Sequence, residues 1–295
     1  MTRRLAALLS LAALLPPAAA HAQQPAQQPP VTNTSSTSNP LDQQLWDATR
    51  RGDVAGVRAA LAKGANANAK WRYDQTPLFK AAERGDAEIA KILLEHKADP
   101  NVRDTFYGAT ALYWAADKGH TEVVRALVNA GATGRENVLS LAVDTGNVEF
   151  VKIVLAKETT AAVLTRVLTL ANIRHDGEKD GAVKAKRAEI VGLIKAAGAQ
   201  PGFQLDAAVL KSYEGAYKNE QGQEWKVAVN EQGYLTVAPS PTNAFIIAPS
   251  DKTTFAPVEF TGLQITFSVE GDRVTGFTFK QGQAPAQVYK RVEAK

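Results

Sequence analysis

Between residues 41 and 200, apolar positions recur at helical spacing in short bursts. In the stretch DQTPLFKAAERGDAEIAKILLEHKADPNVRD, residues 74–104, Leu78, Ala81 and Ala82 stand at i, i+3, i+4. Ile89, Ile92 and Leu93 repeat that spacing in the next burst. Polar residues and glycine punctuate the pattern. Thr76 offers a hydroxyl to cap a helix, and Pro77 suits the first helical position because it has no N–H to leave unpaired. Gly85 stops that helix, since glycine takes a left-handed cap without strain, and Asp86 caps the next. The pattern predicts two short amphipathic helices back to back. Neither buries its apolar stripe alone, so the unit needs neighbours.

The neighbours are in the chain. Leu45-Trp-Asp-Ala-Thr-Arg-Arg-Gly52-Asp lies 33 residues before Leu78-Phe-Lys-Ala-Ala-Glu-Arg-Gly85-Asp. Leu112-Tyr-Trp-Ala-Ala-Asp-Lys-Gly119-His lies 34 residues after it, and Leu139-Ser-Leu-Ala-Val-Asp-Thr-Gly146-Asn a further 27 on. The unit ends also match: Lys63-Gly-Ala-Asn-Ala-Asn68, Lys97-Ala-Asp-Pro-Asn101 and Ala130-Gly-Ala-Thr133. This set of signatures in phase resembles ankyrin repeats, over residues 41–200 and about five units. Phe79 stands where that family usually has histidine. The fourth unit is short and lacks its turn finger. In the irregular fifth, Val163–Ala171 reads as the first helix and Glu189–Ala197 as the second, with Ile173–Arg187 inserted between them.

After Gly198-Ala-Gln-Pro201 the period changes to twofold. Leu263, Ile265, Phe267 and Val269 alternate with Gln264, Thr266 and Ser268, as a strand with one buried face does. Trp225, Val227 and Val229 show the same alternation. Turn signals at Glu220-Gln-Gly222, Glu231-Gln-Gly233, Pro249-Ser-Asp251 and Glu270-Gly-Asp272 space out about eight short strands, after a short helix near Leu205–Leu210. Residues 203–295 are therefore expected to form a small antiparallel barrel or sandwich, and the whole chain a multidomain α + β protein. Leu210-Lys-Ser-Tyr213-Glu-Gly215-Ala-Tyr217 resembles the L-x-x-Y-x-G-x-Y opening of lipocalin-like β-domains. That resemblance implies an accessory domain, of a kind appended to bacterial exported proteins, with no chemistry assigned to it.

The start of the chain adds a compartment. Arg3 and Arg4, an apolar run from Leu5 to Leu15, and Ala20-His21-Ala22 read as a secretory signal, residues 1–22, cleaved after Ala22. The apolar run is too short to span ~30 Å of hydrocarbon, so no membrane insertion is expected after cleavage. The chain has no cysteine, which removes disulfides, thiolate nucleophiles and a lipoprotein anchor. Export without disulfides points to a periplasmic or secreted protein. Residues 23–40, QQPAQQPPVTNTSSTSNP, carry too little apolar surface to fold and read as a tether.

Charge changes the picture once the signal is set aside. The net +4 of the whole chain falls to +2, because residues 1–22 hold two arginines and no acid. Residues 41–200 carry 23 basic and 20 acidic side chains, and residues 201–295 carry 9 and 10. Neither part has the clustered positive balance that phosphate backbones require, so nucleic acid is not an expected partner.

Reactive chemistry finds no support. His96, His120 and His175 are the histidines left beyond the signal, at no metal-binding spacing. No nucleophile elbow, zinc-helix or phosphate-loop motif occurs. Asp176-Gly-Glu178-Lys-Asp180-Gly181 begins like a calcium loop, but Arg187 stands where the bidentate glutamate belongs. No enzyme activity, cofactor or metal is expected.

The ankyrin resemblance instead implies a protein partner, bound by turn fingers and the exposed face of the first helices. Carried over by position, that face holds Arg50 and Arg51; then Arg72, Tyr73, Gln75, Glu83 and Arg84; then Phe106, Tyr107, Ala109, Asp117 and Lys118; and Asp144. Trp71 lies just before its finger. Trp71 and Phe106 serve either the partner or the packing of fingers on each other. Tyr73 and Tyr107, at matching finger positions, are expected side by side, with Tyr107 as an anchor. Of Tyr113 and Trp114, at least one is expected in the core. A second reading is carriage of a small apolar ligand in the barrel, with the repeats as a docking scaffold. It requires that Phe245, Phe255, Phe267, Phe277 and Phe279 leave a cavity rather than fill the interior.

Overall fold

A computed structural model describes residues 39–240, 242–259 and 261–292. The expected signal, and residues 23–38 of the expected tether, lie outside the described residues. Contacts divide the described chain into two compact units, one ending at Ala199 and the other beginning at Gln200.

The first unit is five helix pairs: α1 (Pro40–Arg51) and α2 (Val54–Ala62), α3 (Pro77–Arg84) and α4 (Ala87–Glu95), α5 (Ala111–Asp117) and α6 (Thr121–Asn129), α7 (Arg135–Thr145) and α8 (Val148–Leu155), α9 (Ala161–Asp176) and α10 (Gly181–Ala196). The first helices stack on one another in chain order, and so do the second helices. The repeated leucine explains the stacking. Leu45, Leu78, Leu112 and Leu139 occupy equivalent places and are at most 1% exposed. Burial of each contributes roughly 1.5–3 kcal/mol.

The Asn/Asp positions at the unit ends lock successive repeats. Asn68 Oδ1 accepts from the Asp99 amide at 2.7 Å, and Asn101 Oδ1 accepts from the Thr133 amide at 2.7 Å. Gly85 takes the expected left-handed cap, φ 81°, and its N–H reaches back to the Ala81 and Ala82 carbonyls.

Several local expectations are corrected. Thr76 is the N-cap of α3 but its hydroxyl makes no cap bond; it is buried without a partner. Asp86 does not cap α4 with its side chain either, because its carboxylate accepts from Arg84 Nε at 2.6 Å instead. In the fifth unit most of Ile173–Arg187 is helical. α9 runs on to Asp176, α10 starts at Gly181, and Asp180 caps α10 by accepting from the Ala182 and Val183 amides. The segment expected as an insertion is thus mostly the end of one helix and the start of the next. Tyr113 and Trp114 are both only partly buried, since the small residues Ala111, Ala115 and Ala116 take the inner face of α5.

The second unit opens with α11 (Ala207–Ser212), two residues later than expected, with Asp206 in extended conformation as its N-cap residue. Eight strands follow: β1 (Gly215–Lys218), β2 (Glu224–Val229), β3 (Leu235–Ser240), β4 (Asn243–Pro249), β5 (Thr254–Pro257), β6 (Leu263–Glu270), β7 (Arg273–Gln281) and β8 (Gln287–Arg291). Each pairs antiparallel with the next, and β8 returns to β1 through Tyr217–Arg291 and Lys218–Lys290. The unit is therefore a closed barrel rather than a sandwich. Leu263, Ile265 and Phe267 point inward as the alternation predicts. Val269 does not: a register shift between Ser268 and Val269 turns it outward, 42% exposed.

The barrel interior is filled. Tyr213, Tyr217, Trp225, Phe245, Phe255, Phe267, Phe277, Phe279 and Tyr289 form one buried cluster with the inward aliphatic residues. Tyr217 Oη donates to the Tyr213 carbonyl at 2.7 Å. Arg291 closes the seam by donating to the Ser212 carbonyl at 3.0 Å, to the Val274 carbonyl at 3.2 Å and to the Glu214 carbonyl. Among the described residues, no helix is long and apolar enough to cross a membrane.

Candidate functional site

The candidate surface lies on the fingers and first helices of the repeats. The second finger is a tight 3₁₀ turn, Arg72–Asp74, closed by the Trp71 amide on the Gln75 carbonyl at 2.9 Å. Tyr73 and Asp74 both sit in the left-handed region, φ 61° and 58°. Non-glycine residues held there cost on the order of 1 kcal/mol or more each. Lys70 Nζ lies 3.2 Å from Asp74, and the Thr105 amide donates to the Tyr73 carbonyl at 2.9 Å, a main-chain bond that holds the turn against the next finger. The turn presents the Tyr73 ring to solvent, 37% exposed, with the Arg72 guanidinium 4.6 Å from its centroid.

The third finger is organised by Asp104, a carboxylate only 3% exposed. Its Oδ1 accepts from the Phe106 amide at 2.9 Å and from the Tyr107 amide at 2.5 Å. Its Oδ2 accepts from Trp114 Nε1 at 3.3 Å. One side chain thus ties the finger to α5 and sets the directions of Phe106 and Tyr107. Phe106 is turned out, 56% exposed. Tyr107 is turned in, its ring edge-on to Trp114 at 5.8 Å.

A continuous aromatic row results. Tyr73 meets Phe106 at 5.0 Å between centroids, Phe106 meets Tyr107 at 4.5 Å, and Tyr107 meets Trp114. Beyond Trp114 lies a small recess of about 40 Å³ between α3 and α5, lined by Gln75, Phe79, Glu83 and Trp114.

The other expected residues are distributed as follows. Arg50, Arg51, Arg84 and Lys118 are exposed on the first helices. Glu83 is exposed and paired with Lys80 at 2.6 Å, and Asp117 is paired with Lys118 at 3.6 Å. Asp144 is bound to Arg174 of the next repeat at 2.6 Å, which withdraws it from the free surface. Trp71 is also withdrawn, stacked on Trp46 at 4.4 Å with ring planes 11° apart. Tyr73 and Tyr107 are not the adjacent pair expected from their matching positions. Phe106 stands against Tyr73 instead, in a finger whose Phe106 and Tyr107 amides are held by Asp104.

Asp104 and the partly open Trp114 were not singled out for this surface. The signal for Asp104 was present: an aspartate two and three residues before aromatic positions has the spacing of an Asx turn. Elsewhere, His120 Nε2 lies 3.2 Å from the Glu83 carbonyl, a contact between repeats. In the calcium-like segment, Glu178 accepts from the Lys179 and Asp180 amides and pairs with Arg187 at 3.2 Å; those bonds, the Asp180 amide first, hold its carboxyl below the usual range. Among the described residues no group of three acidic or histidine side chains is placed to hold a metal ion.

Stacked helix pairs with projecting fingers define a repeat scaffold. The family model for ankyrin repeats in three copies matches residues 45–137. Cyclin-dependent kinase 4 inhibitor B of Rattus norvegicus is 35% identical over 91 residues, which are 31% of this chain and 69% of that protein. An inactive serine/threonine-protein kinase, TEX14 of Bos taurus, is 33% identical over 102 residues, 35% of this chain. A putative ankyrin repeat protein of Fowlpox virus is 35% identical over 81 residues, 28% of this chain. The matched stretch spans only 7% of the kinase-like relative and 12% of the viral one. The chain belongs to the ankyrin-repeat family, with its helical repeats followed by a closed eight-stranded antiparallel barrel.

Proposed function

We propose that the chain is a non-enzymatic binding protein of the cell envelope, which holds a protein partner on the aromatic row and the adjoining first helices. The observation that carries this reading is the exposed Phe106–Tyr73 pair, built on a strained turn and a buried carboxylate. Backbone strain and a buried acid hold these rings in fixed directions, and costs of that kind cluster where a surface must be preorganised. Aromatic anchors with a mixed-charge surround are the usual composition of a protein interface. A relative named as a kinase inhibitor acts, by that name, on another protein, which agrees with the reading. The envelope location rests on the sequence of residues 1–22 and on the absence of cysteine. The lipocalin-like motif supports an accessory role for the barrel.

The test is capture from the envelope fraction with the wild-type chain and with Phe106→Ala. A genuine partner is retained by the wild type and weakened about 10-fold or more by the variant, whose melting temperature stays put, as an exposed hot spot behaves. Equal retention by both chains moves the binding surface away from the fingers. The ligand-carriage reading gains nothing from the barrel, whose inward rings occupy its interior.

A further inference from the structure

We propose that the tips of the second and third fingers hold an acidic segment of the partner, with a carboxylate on the Arg72 guanidinium and a nearby apolar side chain on Phe106. The proposal rests on the reading that the aromatic row is the binding surface. Arg72 and Tyr73 already form half of such a site. The Arg72 guanidinium lies 4.6 Å from the Tyr73 ring centroid, and its Nη2 donates to Tyr73 Oη at 2.7 Å. A guanidinium held on a ring keeps other N–H groups in its own plane, and that fork matches a carboxylate through two parallel bonds. The Tyr73 backbone is fixed at φ 61° in its turn, so the pair is placed before the partner arrives.

Charge on these fingertips is one-sided. Lys70 and Arg103 hold equivalent places, each two residues after the asparagine that locks its repeat, Asn68 and Asn101. Arg72 adds a third cation. The two acids beside them, Asp74 and Asp104, are both committed. Asp74 pairs with Lys70 at 3.2 Å. Asp104 is 3% exposed and spends its oxygens on two amides and an indole. Arg72 and Arg103 are left over. Among the described residues, Arg72 donates to Tyr73 and Arg103 to the Gly108 carbonyl at 2.8 Å, neither to a carboxylate. Excess cations around the exposed Phe106 ring complement an acidic, apolar segment and disfavour a basic one.

Ring distances set the spacing. Arg72 stands 4.6 Å from the Tyr73 centroid, which is 5.0 Å from that of Phe106. The two anchors are therefore at most about 10 Å apart, the reach of roughly three extended residues. The partner's aspartate or glutamate then falls within about three positions of its aromatic or branched aliphatic residue.

The probe is a displayed library of random nonapeptides, selected on the full chain, with phosphatidylglycerol vesicles as a second arm. Affinities of the selected peptides are then measured for the wild type, Arg72→Gln, Phe106→Ala and the distant charge control Lys91→Gln. The expected peptides carry an acid within about three positions of an apolar residue. Arg72→Gln and Phe106→Ala should each weaken binding at least about tenfold, with Lys91→Gln and the melting temperatures unaffected. Replacing the peptide's acid by its amide should weaken binding to the wild type equally and to Arg72→Gln little, because the cycle isolates the pair. Enrichment of basic or uncharged peptides overturns the proposal. Capture of the vesicles with no peptide enriched also overturns it and assigns the patch to a lipid surface. Arg72→Gln binding normally while Phe106→Ala is weakened keeps the surface and removes the acid. If neither variant is weakened, the surface reading itself falls.

Discussion

His120 closes over Gly85. A Cβ built on Gly85 would lie 2.6 Å from His120 Nδ1, and His120 Nε2 sits 3.2 Å from the Glu83 carbonyl one turn back. The cap glycine of one repeat thus leaves room for an imidazole of the next, as well as supplying a left-handed φ of 81°. Two costs therefore meet in Gly85→Val: strain and a displaced histidine. Gly119, φ 78°, has nothing within 4 Å of its built Cβ and isolates the strain alone. Gly119→Val should cost ~1–2 kcal/mol and Gly85→Val clearly more, read from urea unfolding of the two variants. Equal losses would show that the contact between repeats adds nothing.

Thr76 and Thr110 occupy equivalent N-cap positions with opposite outcomes. Thr110 Oγ1 accepts from the Tyr113 amide at 3.3 Å, whereas Thr76 Oγ1 is buried with no partner. Removing a satisfied cap costs about 1 kcal/mol, while replacing an unsatisfied buried hydroxyl by a methyl is neutral or stabilising. Thr110→Val should lower the melting temperature and Thr76→Val should hold or raise it. A loss at Thr76 as large as that at Thr110 would mean its hydroxyl is bonded after all.

Much of this architecture was legible in sequence because it is periodic. Leu45, Leu78, Leu112 and Leu139 announce the stacked inner stripe, and alternation from Leu263 to Phe267 announces a one-faced strand. What escaped was decided by single contacts without a period. Asp86 yields its capping role to Arg84, Val269 leaves the barrel core at a bulge, and Asp104 turns Phe106 rather than Tyr107 outward. The face residues were named by position in the repeat. Position cannot tell an exposed ring from one stacked on a neighbour, as Trp71 is on Trp46.

Asp104 carries the third finger, so its removal should be felt at Trp114. Asp104→Ala deletes acceptors for two backbone amides and an indole N–H. Loss of charged hydrogen bonds of this kind costs on the order of 2–3 kcal/mol. Thermal unfolding followed by tryptophan emission should show both the lower stability and a shifted Trp114 signal in the folded state. An unaltered folded spectrum would detach Trp114 from the finger.

Arg291 should matter to the barrel more than an ordinary surface arginine. It gathers three main-chain carbonyls, from Ser212, Glu214 and Val274, across the seam where β8 meets β1. Arg291→Met keeps much of the stem and removes every donor, leaving those carbonyls to find water. A loss of about 2 kcal/mol or more in the strand-rich transition is expected. If that transition is unmoved, the β8–β1 pairing holds the seam without the clasp.

The barrel tyrosines supply a pH test whose sign is fixed. Burial raises the phenols of Tyr217 and Tyr289 from the usual 10 to about 12. Each ring is 0% exposed, and the folded barrel holds each phenol proton more tightly than the unfolded chain does. The stability tied to these protons is thus fully present below about pH 10 and is lost as pH rises through about 12. Each tyrosine accounts for up to about 3 kcal/mol of that loss, since one pKa unit is about 1.4 kcal/mol. Unfolding of the full chain measured from pH 8 to 12 should therefore show the strand-rich transition weakening above pH 10, with Tyr217→Phe and Tyr289→Phe each flattening the fall. Absorbance at the tyrosinate band gives an independent reading: in the folded barrel these two phenols should ionise near pH 12, well above the usual 10. Ionisation near pH 10 with the barrel intact would mean that water reaches the interior, and it would revive the cavity that ligand carriage requires.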